Sequence, residues 1–433
     1  MKVFQTLLAF SGNAPPQLAL TRELVGRGHQ VRVLAHRAAR ERIEETGAEF
    51  VAFKTLPDLD ITRPETDSIR DWEARTPLGG AKRMRDAVIA PVPDAAREIF
   101  GLLDDWDADV LVFDWLFVGA AVAAEHAGIP AVALVHCPYP LPARGAPPLF
   151  SGLRPMAGPA GAARDRLLNG LMRRFWAAGL PVLNEVRAEH GLAPLQRWND
   201  QVLGSRAIYV MTAPELDFSS RAELPANVHY VGPAFEPFAT DWESPWPAEN
   251  ADPLVLISFS TSYMNQGRLA QRVLDAVAGL RVRALLTVGP ALDTGHLRIP
   301  GNTYAVSFLP HRTVLPHVSL VITHAGWQTV NAALADGVPL VCVPDSRDQP
   351  DNAARVVVVG AGVRASKNSS PGKLRRVIAA ALEDQSLRHG AGVMADALAR
   401  RNGATAIADE LERLPARSAA QATTPAPSLA GEP

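Results

Sequence analysis

The stretch "VITHAGWQTVNAALADGVPLVCVPDSRDQPDNAARVVVVGAG", residues 321–362, decides the fold. An apolar run ends at Thr323, His324, Ala325 and Gly326 form a turn, and Trp327, Gln328 and Thr329 open a helix. The run "PLVCVP", 339–344, is a second short apolar strand, and the segment from Asp351 returns to helical spacing. Strands alternating with helices at this spacing predict parallel β-α-β units. Backbone N–H groups at a helix start attract anions, aided by the helix dipole. Small residues at 325 and 326 let a phosphate approach, and His324, Gln328 and Thr329 add side-chain donors.

The same alternation extends in both directions. "PLVLISFS" (253–260) and "VRALLTVG" (282–289) read as strands, with "RLAQRVLDAVAGL" (268–280) as the helix between them. Near the N-terminus, "VFQTLLAF" (3–10), "HQVRVLAH" (29–36), "ADVLVFDW" (108–115) and "IPAVALVH" (129–136) form a second strand series. The first of these runs is short and continuously apolar in character, as expected of a parallel strand covered on both faces. Residues 233–253, rich in proline and without periodicity, read as a linker. The expectation is two doubly wound α/β domains, 1–232 and 254–414, with a disordered Ala/Pro/Ser/Thr tail at 415–433. Ligands bind such sheets at the carboxyl ends of the strands, so the two domains should share one cleft.

A chain of 433 residues is too long for one core. Its net charge of -2 offers no basic surplus to attract nucleic acid or an anionic membrane. Cys137 and Cys342 are too few and too far apart for a disulfide framework or a metal cluster, and read as buried thiols in a reducing compartment. The N-terminal apolar run is too short to span a bilayer and lacks a cleavage site, so a cytoplasmic protein without membrane insertion is expected. Whether it forms a homodimer is left open by the sequence.

Over residues 324–353 the order of motifs resembles the nucleotide-sugar signature of the family-one inverting glycosyltransferases. This family includes bacterial antibiotic, macrolide and plant secondary-product enzymes. The matching elements are the H-x-G turn (His324, Gly326), Thr329, "GVP" at 337–339, Asp348-Gln349 and Asn352-Ala353. The resemblance implies the GT-B architecture, two Rossmann-like domains facing a deep cleft. It also implies a nucleotide-sugar donor and no metal or other cofactor. His324, Gly326, Trp327, Gln328 and Thr329 would then hold the diphosphate, while Asp348 and Gln349 hydrogen-bond the sugar. The segment "SFLPH", 307–311, resembles the family's W-x-P-Q segment. Phe308 takes the place that stacks on the base, Leu309 lies beside it, and His311 stands where glutamine is usual. "SFSTS", 258–262, resembles the S-x-G-[ST] turn and puts Thr261 near the phosphates. The family commonly has a ribose-binding glutamate three residues after the Ser/Thr, where this chain has Ala332. Deoxyribose lacks the 2'-hydroxyl, so this departure favours a dTDP-sugar over a UDP-sugar.

A second departure concerns the chemistry. The family's first loop reads G-H-x-x-P, and its histidine is the base that deprotonates the acceptor. Here the loop reads "GNAPP" and places Asn13 at that position. An amide cannot act as a general base. The partner carboxylate of that histidine corresponds to Asp114, at the end of the strand "LVFD". Three readings follow: another group serves as base, either Asp114 directly or His136 at the end of a nearby strand; the acceptor is an intrinsically reactive amine, thiol, phenol or aromatic carbon; or the protein is not an active transferase. The acceptor is expected to be a small apolar natural product, with Trp72, Trp115, Phe117, Tyr139 and Phe150 as walls and the irregular segment 57–80 as a lid. The competing functions are a catalytically silent partner of another glycosyltransferase and a nucleotide-sugar epimerase.

Overall fold

The computed structural model describes residues 1–8, 12–59, 63–67, 69–237, 242–260, 263–289 and 295–414. Seven strands form the first sheet: β1 (Lys2–Leu7), β2 (Gln30–Ala35), β3 (Glu49–Ala52), β4 (Val110–Asp114), β5 (Ala131–Val135), β6 (Ala207–Val210) and β7 (Val228–Tyr230). Six form the second: β8 (Leu254–Ser258), β9 (Arg283–Thr287), β10 (Thr303–Val306), β11 (Leu320–Thr323), β12 (Leu340–Cys342) and β13 (Gly362–Arg364). The orders are β3-β2-β1-β4-β5-β6-β7 and β10-β9-β8-β11-β12-β13, and the recorded pairings are parallel. This is the doubly wound pair expected from the sequence. Apolar side chains fill both faces of each sheet, so β4 and β8 are buried along their whole length. Cys137 and Cys342 are free and buried. No helix of the described residues is long and apolar enough to cross a membrane.

The strand order reverses between β1 and β4 in the first sheet and between β8 and β11 in the second. A crevice opens at such a reversal, outside the carboxyl ends of the strands. Asn13 follows β1 and Asp114 ends β4; Ser258 ends β8 and His324 follows β11. The candidate residues of both domains therefore sit at the two switch points, for a topological reason rather than a local one.

The described part of the segment 233–253 contains no helix or strand, but the domain boundary differs from expectation at the other end. Helix Gly403–Glu412 was expected in the second domain and instead returns to the first. Ile407, Ala408 and Leu411 join the apolar cluster of Leu18 and Leu24, and Arg27 Nη1 pairs with Asp409 at 2.7 Å. Gly403 N donates to Pro233 O at 2.9 Å, and a side-chain carbon at Gly403 would lie 2.4 Å from the Gly232 carbonyl oxygen. The crossing point thus requires glycine. The expected tail, 415–433, lies outside the described residues.

Buried polar contacts join the domains. Arg355, in helix Gln349–Val358, gives Nε and Nη2 to Asp217 Oδ1 at 3.1 and 2.8 Å. Thr212 Oγ1 donates to Asn331 Oδ1 at 2.9 Å, and Gly152 N donates to Asp351 Oδ1 at 3.0 Å.

Candidate active site

One cavity of about 1240 Å³ runs between the domains, lined from both switch points. At its second-domain end, helix Trp327–Ala335 starts at Gly326 with no side-chain cap and no acidic residue in its first turn. Its first N–H groups and dipole are therefore available to an anion. Ala325 takes the left-handed conformation (φ 71°), and its carbonyl accepts from Asn352 Nδ2 at 2.9 Å. A side-chain carbon on Gly326 would lie 2.7 Å from His324 Nε2, so glycine lets the imidazole pack over the turn. His324 is buried, and its Nδ1 has no protein partner. Burial pushes its pKa down to about 4, outweighing the opposing influence of the Ser258 backbone and Asp345, so the ring is neutral at pH 7. A neutral ring at the helix start leaves the main-chain dipole as the attraction for a diphosphate.

The remaining donor-side residues divide by environment. Phe308 lines the cavity with its side chain 67% exposed, a free face for stacking, and Leu309 lies beside it. His311 also lines the cavity, but its Nε2 lies 3.2 Å from Ser258 Oγ and 3.3 Å from Thr287 Oγ1, pinning the ends of β8 and β9. Gln328 and Thr329 are half-buried in the lining, and Ala332 offers no carboxylate there. Asp348 lines the cavity, with Oδ2 accepting from Asn352 Nδ2 at 2.9 Å. Gln349 also lines the cavity. Its Oε1 accepts from Asp345 N at 2.9 Å and from Ser346 N at 3.3 Å, so much of its amide is engaged in bracing its own loop. Thr261 lies outside the described residues.

At the first-domain end, Asn13 lines the cavity and makes no side-chain cap to the helix it precedes. Asp114 is fully buried and absent from the lining, which corrects the expectation that it reaches an acceptor directly. His136 lines the cavity, its Nδ1 3.3 Å from Asp114 Oδ2. This is ion-pair distance without hydrogen-bond alignment, since Nδ1 has no hydrogen-bond partner. Catalytic contacts often tighten only when substrate binds. Asp114 also accepts from Leu116 N at 3.0 Å and from Gln17 Nε2 at 3.1 Å. Burial raises its pKa, and His136, Leu116 and Gln17 oppose the rise.

Among the expected acceptor walls, Trp115, Phe117 and Phe150 line the cavity. Tyr139 does not: it lies 2% exposed in the core, with its backbone N–H donated to Asp217 Oδ2 at 2.7 Å. Trp72 does not either: it meets Tyr263 of the other domain edge-on, with ring centroids 5.1 Å apart. Both are aromatics drawn into packing, the commoner fate of such side chains. Residues missed from the sequence include Gln17, one helical turn after Asn13, and His36, which ends in the cavity wall with an unpartnered Nδ1. The position of His36 after the apolar strand β2 was the available signal.

The comparisons with known proteins agree with this fold. Residues 271–414 match the family model described as the C-terminal domain of erythromycin biosynthesis protein CIII-like proteins. The chain is 30% identical over 411 residues to the 4'-demethylrebeccamycin synthase of Lentzea aerocolonigenes, covering 93% of this chain and 97% of that protein. The crystal structure of the kitacinnamycin glycotransferase superposes with a TM-score of 0.76 at 22% identity, covering 95% of this chain and 98% of that one. The glycosyltransferase VinC, solved in complex with dTDP, superposes at 0.65 with 19% identity, covering 95% and 99%.

The charge of a diphosphate held at this turn should raise the pKa of His324, which burial holds down at about 4. The complex then holds more protons than the free protein just above that pH, so affinity rises as pH falls. Titration calorimetry of dTDP at pH 6, in buffers of different ionisation enthalpy, should show net proton uptake by the native chain relative to His324→Asn. Equal proton balance in the two proteins contradicts the assignment.

Proposed function

The chain belongs to the family-one antibiotic glycosyltransferases and acts on a nucleotide sugar; from that premise we propose that it moves a sugar from a dTDP-sugar to an apolar natural-product acceptor, with His136 as base in place of the residue missing at position 13. The observation that carries this reading is the approach of His136 to Asp114 at the cavity wall, 3.3 Å from Nδ1 to Oδ2. With Nδ1 turned to the carboxylate, Nε2 is the nitrogen left for an acceptor hydroxyl. The acceptor proton passes to that nitrogen as the acceptor oxygen attacks the anomeric carbon, opposite the departing nucleoside diphosphate. The sugar–phosphate bond breaks, and the helix start at Trp327 stabilises the charge that develops on the leaving group. The configuration at the anomeric carbon inverts. Asp114, held by Leu116 N and Gln17, orients the imidazole and stabilises its protonated form.

The dTDP preference is supported by Ala332, which cannot bind a ribose hydroxyl, and by the bound dTDP of the structurally similar VinC. The apolar acceptor is supported by the wall of Trp115, Phe117, Leu149 and Phe150. The reaction uses no metal, because the helix dipole and turn take that role at the diphosphate.

Two outcomes test the proposal. In a thermal-shift panel of dTDP, UDP, GDP and ADP, dTDP should stabilise most, by about 2.7 kcal/mol at a concentration 100 times its Kd, with EDTA making no difference. Greater stabilisation by UDP, or dependence on a divalent metal, contradicts the donor assignment. Asp114→Asn should lower turnover by about two orders of magnitude while leaving nucleotide affinity intact. A near-native rate removes Asp114 from the mechanism.

A further inference from the structure

The short helical turn Asp71–Glu73 of the first domain touches two donor-side loops of the second. Trp72 packs on Tyr263, in the loop after β8. Asp71 grips Arg347, in the loop after β12: Oδ1 accepts from Nη2 at 2.8 Å and Oδ2 from Nε at 3.1 Å. Ser346 Oγ adds a bond to Asp71 Oδ2 at 3.3 Å, and Asp67 Oδ2 lies 3.8 Å from Arg347 Nη2. The pair is sheltered, with side chains 15% exposed for Arg347 and 6% for Asp71. A fork-to-fork guanidinium–carboxylate pair fixes direction as well as distance.

Arg347 has a φ of 57°, the left-handed conformation that a residue with a side chain occupies only when its surroundings hold it there. It immediately precedes Asp348. Gln349 braces the loop from within through Asp345 N and Ser346 N, so position 347 is held from outside by Asp71.

We infer that Asp71 is a positioning residue for the donor sugar: by clamping Arg347 in its left-handed conformation across the cleft, it keeps the Asp348 carboxylate turned into the cavity. The sugar compartment is then assembled from both domains, whereas the diphosphate turn belongs to the second domain alone. The segment 57–80, expected as a lid over the acceptor, contributes through its described part to the donor side as well. This inference rests on the reading that Asp348 receives the sugar.

The test compares dTDP with dTDP-glucose by titration calorimetry in the native chain and in Asp71→Asn, Arg347→Ala and Arg347→Gly. Asp71→Asn and Arg347→Ala should each weaken dTDP-glucose by about tenfold, the equivalent of about 1.4 kcal/mol, and change dTDP by less than about twofold. Arg347→Gly removes the same charge, but glycine adopts a φ near 57° without strain, so it should retain dTDP-glucose binding within about threefold. Equal losses for Arg347→Ala and Arg347→Gly overturn the inference, as do equal losses of dTDP and dTDP-glucose. Native protein that binds neither nucleotide overturns the donor reading itself, a separate result. Retained dTDP affinity also reports that each variant is folded.

Discussion

The cleft depends on the buried ion pair between Asp217 and Arg355. Each side chain is at most 2% exposed, one from each domain. Such a pair gains little over a well-packed apolar contact, but losing one partner strands the other charge and costs about 3–5 kcal/mol. Its value here is geometric. Asp217 Oδ2 also accepts from Tyr230 Oη at 2.8 Å and Tyr139 N at 2.7 Å, and Oδ1 accepts from Ser219 N at 3.3 Å. The carboxylate is saturated from several directions, so the second domain can dock in one orientation. That orientation sets the strand ends of the two sheets face to face and places the Asp71–Arg347 clamp within reach.

Behind the acceptor side lies a second polar system. Thr21 Oγ1 donates to Gln5 Oε1 at 2.9 Å, Gln5 Nε2 reaches Gln17 O at 3.4 Å, and Gln17 Nε2 joins Asp114 to the Asn13 carbonyl. The network reaches position 13 through the backbone carbonyl of Asn13. The carboxylate that would orient an imidazole there is held from below by Gln17 and meets His136 from the neighbouring strand. β4 and β5 are adjacent and in register, Asp114 opposite Leu134, so a histidine two residues after Leu134 lies beside the carboxylate. In the proposed dyad the imidazole stands after β5 rather than after β1, on the opposite side of β4 at the same sheet edge.

The central strands and the turn after β11 were legible because their signals are local. A fully apolar run such as "VLVF" or "LVLI" describes a strand buried on both faces, and the small pair Ala325-Gly326 marks the turn after β11. β3, β7 and β10 are short and partly exposed, and carry no comparable signal. The return of helix Gly403–Glu412 to the first domain was hidden for another reason: its apolar spacing is satisfied equally by either domain. Aromatic content could not separate Trp115, in the cavity wall, from Tyr139, two residues past Cys137 and in the core. Asp71 and Arg347 are far apart in sequence, and neither neighbourhood shows that the other charge exists. Sites made by one turn can be read from a sequence, while sites made by two domains meeting require the fold.

The most direct measurement moves the imidazole back. Turnover of dTDP-glucose, followed by dTDP release over a panel of aromatic and polyketide aglycones, should be compared among the native chain, His136→Gln, and His136→Gln combined with Asn13→His. If Asp114 serves whichever imidazole stands beside it, the single variant loses about two orders of magnitude and the double variant regains a substantial part. A single variant as active as the native chain, or a loss that Asn13→His does not repair, contradicts the relocated dyad.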